Sequence, residues 1–221
     1  MDLSTFDIAR MKALKEYASL EFELCLLLKG IMQVEAQIAS AIFYQISNTR
    51  TRYAIMGSML DIRHPDTFKK AWPKLESWLT PCDSARNHII HWGQERRIVA
   101  YPVPLTPGAR ELFRQDWSYE TKETEILTNN VRRWRASGSP AAGYTEKKLE
   151  EVRQQFETMK HIINRFNLTV HFPDKWPWTD IFQQPPAHRT PAEFLSSLND
   201  RGFPARLGSL SELDHPDDDE S

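Results

Sequence analysis

The 221-residue chain reads as an all-α protein: a bundle of four to five main helices with a short hairpin-like or irregular insertion and an extended C-terminal tail. Three observations predict this. Apolar residues recur at three- and four-residue steps from Thr5 to about Gly93, and again from about residue 144 to 168. Between these stretches, from about 97 to 143, β-branched residues and prolines replace the helical period. After Phe172, prolines and acidic residues accumulate together, a composition that does not bury enough apolar surface to order itself. The division expected is therefore a bundle over 1–170 and a proline-rich, acidic, partly disordered tail over 171–221.

The elements follow in order. Thr5 to Ile46 contains no proline and one glycine, Gly30. Leu14, Tyr17, Ala18, Leu24, Cys25 and Leu28 give the first helix its stripe, and crowding around Phe22 makes it apolar nearly all round, as suits a central position. Gly30 is expected to bend or break it before a second segment from Ile31 to Ile46. "SNTR" supplies a turn with a capping residue, and Tyr53, Met56, Met59 and Leu60 mark a third helix. Phe68, Trp72, Leu75 and Leu79 mark a fourth, in which Pro73 predicts a kink. In "TPCD", Thr80 reads as an N-cap, with Pro81 at a first helical position and Asp83 in the first turn. "PCDSARNHIIHWG" is accordingly its own short helix or the continuation of a bent one, closed by Gly93.

"RRIVAYPVPLTPG" and "LFRQDWSYETKETEIL" suggest two short strands or an extended hairpin, whose prolines forbid a central strand. In "YTEKKLEEVRQQFETMKHIINRF", Thr145 caps a helix buried through Leu149, Val152, Phe156, Met159, Ile163 and Phe166, its outer face covered by Lys/Glu pairs. Trp176, Trp178 and Phe182 of the tail are candidates to dock back on the bundle.

Composition narrows the function classes. Hydrophobic residues make up 40% and charged residues 26%, ordinary for a globular chain. The two cysteines, Cys25 and Cys82, form no disulfide framework; Cys25 suits a buried thiol, and a reducing, cytoplasmic setting is expected. The N-terminus lacks the uninterrupted apolar core of a signal peptide, and "LCLLLKGIM" is too short to span a bilayer, so no membrane partner is expected. The net charge of −2 divides into +4 over the first 170 residues and −6 over the rest. A mildly basic body tolerates a polyanion, and the acidic end is a candidate internal competitor for it.

Chemistry concentrates in "RNHIIH", Arg86 to His91. Three readings stand side by side. His88 and His91 lie about 60° apart on a helix and would reach one metal ion, but a zinc site wants three or four ligands and no second Cys/His pair follows at ligand spacing, so no metal and no cofactor is expected. Alternatively the set is a structural polar knot: histidine a satisfied interior or rim residue, Arg86 a surface charge paired with Asp83, and Asn87 and His91 bonded to one another or to a neighbouring helix. The third reading is catalytic: arginine offers a permanent planar cation for phosphate, histidine moves a proton near neutrality, and asparagine orients it or supports an oxyanion. Metal-free RNA cleavage needs those groups, because RNA carries its own 2′-hydroxyl nucleophile. Arg86 and His91 are about 140° apart around the helix and Asn87 and His91 about 40°. One helix does not converge all three groups, whereas two related by a two-fold axis bring two sets into one cleft. The catalytic reading therefore predicts a homodimer.

"RNHIIH" resembles the signature of the HEPN superfamily, an arginine followed by a polar residue and then a histidine, with four to six residues between Arg and His. A long apolar first helix, "FYQISNTRTRYAIMGSML", a tryptophan-bearing helix and "ARNHIIHWG" resemble the order of elements in such bundles. "YTEKKLEEVRQQFETM" is similar to the last helix of some bacterial members. The likeness covers about residues 5–98 and 144–168. It implies a metal-independent endoribonuclease, often a toxin or defence component, or a non-catalytic relative that binds RNA, nucleotide or protein. It also implies a homodimer and, as a further partner, a separate antitoxin or regulatory chain. Carried over, Arg86 stabilises the phosphate, His91 is the acid/base and Asn87 the polar neighbour. Trp92 departs from the pattern, standing where a small residue is common. Expected RNA-binding residues are His88, Arg96 and Arg97 around the motif, Arg50 and Arg52 before the third helix, and the basic, tryptophan-bearing "VRRWRASG" (131–138).

Overall fold

The computed structural model describes residues 4–64, 68, 70–91, 143–172, 181–182 and 190–200, together with the backbone of 93–104 and 117–128. Trp92, "VRRWRASG", Trp176, Trp178 and the acidic end lie outside the described residues. Six helices and one two-stranded ribbon are described: α1 (Thr5–Met32), α2 (Ala36–Gln45), α3 (Thr49–Arg63), α4 (Ala71–His91), β1 (Gly93–Pro104), β2 (Trp117–Thr128), α5 (Glu146–His171) and α6 (Pro191–Asp200).

The bundle is built around α1 and α5. Ser4 caps α1, its Oγ accepting from the Asp7 amide at 3.1 Å, and Thr145 caps α5 by accepting from the Lys148 amide at 3.2 Å. The two helices run parallel and in register: Thr5 donates to Glu146, Lys160 pairs with Glu16, and Asn164 donates to Glu23. Tyr17 meets Phe156 edge-on at 5.2 Å, and Leu20, Leu24, Leu27 and Ile31 complete the buried face of α1. Arg52 and Arg63 of α3 reach Glu21 of α1 and Gln33 just past its end, so α3 also runs parallel to α1. Parallel neighbours need a crossover, and α2 with its connections provides it. α4 runs the opposite way, because Arg10 and Tyr17 of α1 meet Ile89 and Asp83 respectively.

Gly30 does not break α1. The helix continues to Met32 and ends at Gln33, whose φ of 56° is left-handed, with the Gln33 and Val34 amides returning to the Gly30 and Lys29 carbonyls. Gly30 answers a packing demand instead: a Cβ there would lie 1.7 Å from Nε2 of His171 on α5. Nor does α4 restart at Thr80. It is one helix from Ala71 to His91, with Pro81 inside it and Pro73 in its first turn, where no intrahelical donor is lost. The continuous buried stripe of Trp72, Leu75, Trp78, Leu79, Cys82, Ala85 and Ile89 outweighs the donor missing at Pro81. Thr80 Oγ1 donates back to the Glu76 carbonyl at 3.0 Å and is not a cap.

The tail is not wholly extended. Residues 191–200 form α6, and Phe194 and Leu198 enter the core beside Ile181 and Phe182. A chain of ring contacts ties them in: Phe166 to Phe182 at 5.1 Å, Phe182 to Phe194 at 5.6 Å, and Phe194 to Trp78 at 5.5 Å. Full burial of one such side chain contributes roughly 1.5–3 kcal/mol, which explains how a proline-rich segment holds a ten-residue helix.

β1 and β2 pair antiparallel from Gly93↔Thr128 to Pro104↔Trp117. Both strands of a two-stranded ribbon are edges, so Pro102 and Pro104 are tolerated. No single described helix is long and apolar enough to cross a membrane.

Candidate functional site

The RNHIIH residues occupy the last turn and a half of α4. Two features fix that end of the helix. Arg10, one element away, donates to the Ile89 carbonyl through Nε at 3.1 Å and Nη2 at 2.8 Å, and to the Ile90 carbonyl at 3.4 Å. It thereby supplies a cation to the negative end of the α4 dipole. One turn earlier, Asp83 is buried. The Tyr17 hydroxyl donates to its Oδ1 at 2.6 Å and the Tyr53 hydroxyl at 3.0 Å, binding α1, α3 and α4 at one point. Burial raises the Asp83 carboxyl above its ordinary value, while the Tyr17, Tyr53 and Thr49 hydroxyls favour the ionised form. The two phenols are themselves raised, first by burial and then by the Asp83 charge, so they remain donors. Neighbouring Cys82 is buried, which pushes its thiol up to about 12 and makes it inert.

Arg86 is half-buried beside this knot. Its guanidinium carbon stands 5.7 Å from the Tyr17 ring centroid, and Nη1 donates to Asn87 Oδ1 at 2.9 Å. Asp83 is therefore not the surface partner of Arg86 that the spacing suggested, and Asn87 takes the arginine where the polar-knot reading paired it with His91. Asn87 and His91 are exposed, and His88 is half-buried with Nδ1 3.2 Å from the Tyr144 hydroxyl. Around the helix the order is Arg86, Asn87, His91, His88 at about 100° per residue.

The remaining candidates separate. Arg50 is exposed at the start of α3 and lines an open groove with Thr51, Ala54 and Met59. Arg52 is buried: Nε donates to the Ile46 carbonyl at 2.5 Å, Nη1 to Glu21 at 2.8 Å, and the guanidinium sits 4.5 Å over the Phe43 ring. That arginine ties α1, α2 and α3 together, and its fork is engaged within the bundle. Arg96 and Arg97 are in β1, opposite Glu125 and Thr124. Among the described residues no group of three or more His, Cys, Asp and Glu side chains is placed to hold a metal ion.

Sequence reasoning missed Arg10, Tyr17, Tyr53 and Tyr144 as parts of this region, and placed Asp83 in it with the wrong partner. Tyr17 and Tyr53 fall on apolar stripes and read as core; their hydroxyls were the signal, since a buried phenol wants an acceptor.

No family model, no curated protein and no solved structure matches this chain.

Proposed function

We propose that the chain is a metal-independent endoribonuclease of HEPN type, acting as a homodimer whose paired α4 ends form one cleft. The observation that carries this reading is the display on α4: an exposed imidazole at His91 and an exposed amide at Asn87. Beside them, Arg86 is steered by the Tyr17 ring and Asn87, at a helix end pinned by Arg10. In the proposed reaction His91 of one copy takes the proton of a ribose 2′-hydroxyl. The 2′-oxygen attacks phosphorus, and the bond from phosphorus to the 5′-oxygen breaks. That oxygen receives a proton from the second imidazole, leaving a 2′,3′-cyclic phosphate and a free 5′-hydroxyl. Arg86 balances the charge of the phosphorane, which is the term of largest weight in such sites. Ile90 (37% exposed), Ile8 (38%) and Met11 (49%) are exposed apolar side chains at the same end of the molecule, where a second copy would bury them.

Cleavage of a generic single-stranded RNA in excess chelator tests the reading, with product ends identified by mass. Arg86→Ala and His91→Ala should each reduce it by about 100-fold or more while sedimentation reports a dimer. A protein that binds RNA without cutting, unaffected by either substitution, is a non-catalytic binding module. A toxin or defence role, with a separate antitoxin, predicts that overexpression is poisonous and that His91→Ala relieves it.

A further inference from the structure

A groove of about 510 Å³ opens between α4 and the start of α5, lined by His88, Tyr144, Thr145, Lys147, Lys148 and Glu151. We propose that it holds the nucleotide of single-stranded RNA next to the scissile phosphate, with the base on the His88–Tyr144 floor and the backbone phosphate at Lys147 and Lys148. The inference rests on the nuclease reading for its register against His91, and on its own geometry for binding.

Position comes first. His88 is about 60° from His91 around α4 and lies one turn earlier, on the side of His91 away from Arg86. A strand crossing from Arg86 over His91 therefore runs into this groove and not onto the buried face of the helix.

Chemistry matches a nucleotide in two places. On the floor, the His88 imidazole and Tyr144 phenol meet at 3.2 Å with ring centroids 6.0 Å apart and planes tilted by 58°. The contact holds the two rings against each other, and stacking on the face of either ring accepts any base. Along the wall, Lys147 and Lys148 are exposed. Lys148 Nζ donates to Glu151 at 2.8 Å, a solvent-screened pair that a phosphate can displace. The volume falls within the range of small-molecule sites. Arg86 and His91 read the reacting phosphate; this groove reads the neighbour.

The test uses the full chain carrying His91→Ala, a fluorescein-labelled single-stranded RNA of mixed sequence as probe, and anisotropy across a salt series. Adding Lys147→Gln with Lys148→Gln should weaken binding about 10-fold near 0.1 M salt and flatten the log–log salt slope by about 0.7, one phosphate's worth for a single strand. Tyr144→Leu should weaken binding roughly 5- to 10-fold with the slope unchanged, because it removes a stacking face and no charge. Both lysines are exposed, so an unaltered melting curve for the double variant confirms that it folds.

Failures separate cleanly. Wild type that cuts RNA while the lysine and tyrosine variants keep affinity and slope overturns the groove and leaves the nuclease. Wild type that binds with these variant effects but cuts nothing keeps the groove and sinks the nuclease. Displacement by millimolar inorganic phosphate with no effect of Tyr144→Leu marks a bare anion site and overturns the nucleotide assignment, as does an absence of RNA binding.

Discussion

Arginine and histidine gather at both ends of α1, and the two gatherings differ in everything but residue type. At the first end Arg86, His88 and His91 stand at the close of α4, beside Arg10 of α1. At the other, His171, His64 and Arg63 surround Gly30 and Gln33 in a pocket of about 190 Å³. Arg63, His171 and Lys29 each belong to the last turn of a helix, where a cation complements the dipole. Arg63 reaches Gln33, and His171 is pressed against the Gly30 backbone. Burial holds both His171 and His64 below the ordinary imidazole value. Every group there is explained by closing the bundle. At the first end, α4 is closed by Arg10 from outside the motif, which leaves the His91 imidazole exposed and Asn87 exposed with its amide turned to Arg86 rather than to the bundle. What sets a candidate site apart is side-chain capacity left over after the fold is satisfied.

The sharpest way to break this contrast is to exchange histidines. His91→Ala should cost about 10²–10⁴-fold in RNA cleavage with little change in melting temperature, as expected for loss of a general acid or base. His171→Ala should do the reverse, lowering stability and leaving cleavage intact. Equal effects on both properties from both variants would erase the distinction.

Tyr17→Phe comes next in size. It removes the 2.6 Å bond to a buried carboxylate, and about 1.5–3 kcal/mol of stability should go with it in chemical denaturation. The Tyr17 ring remains to carry Arg86, so cleavage should fall far less than in Arg86→Ala.

At the opposite end, Gly30→Ala should destabilise by about 1–3 kcal/mol, since the new methyl overlaps the His171 imidazole and one of them must move. A double variant with His171→Ala should recover part of the loss. Purely additive effects would mean that the glycine serves some other purpose.

The smallest expected effect is in pH dependence, where the two ends respond with opposite sign. The Asp83 carboxyl is raised, so its contribution to stability is complete below its ordinary value of 3.8 and is lost as pH rises through the raised value. The His171 imidazole is lowered, so its contribution is complete above its ordinary value of 6.5 and is lost as pH falls through the lowered value. Asp83→Asn should therefore flatten the first trend and His171→Gln the second, as read from denaturation midpoints between pH 4 and 8.

How far the sequence could be read depended on distance along the chain. Thr145 as a cap and the α5 stripe were legible because a cap reaches three residues and a helix face repeats every three or four. Thr80 and Gly30 misled for the same reason: Thr-Pro and glycine are local stop signals, and here the packing of Trp78, Leu79 and Cys82 and the approach of His171 overrode them. Asp83 read as a first-turn surface charge because nothing nearby reveals its partners, which stand 66 and 30 residues away.

The helical character, the buried stripes and the juxtaposition of Asn87, His88 and His91 on one helix were determined by the sequence itself, through periods that span a single turn. Tertiary structure alone decided that Arg52 is spent on the bundle, that Asp83 is buried under two phenols, and that His91 is left facing solvent. Those outcomes depend on which distant side chains compete for each polar group, and no local pattern encodes that competition.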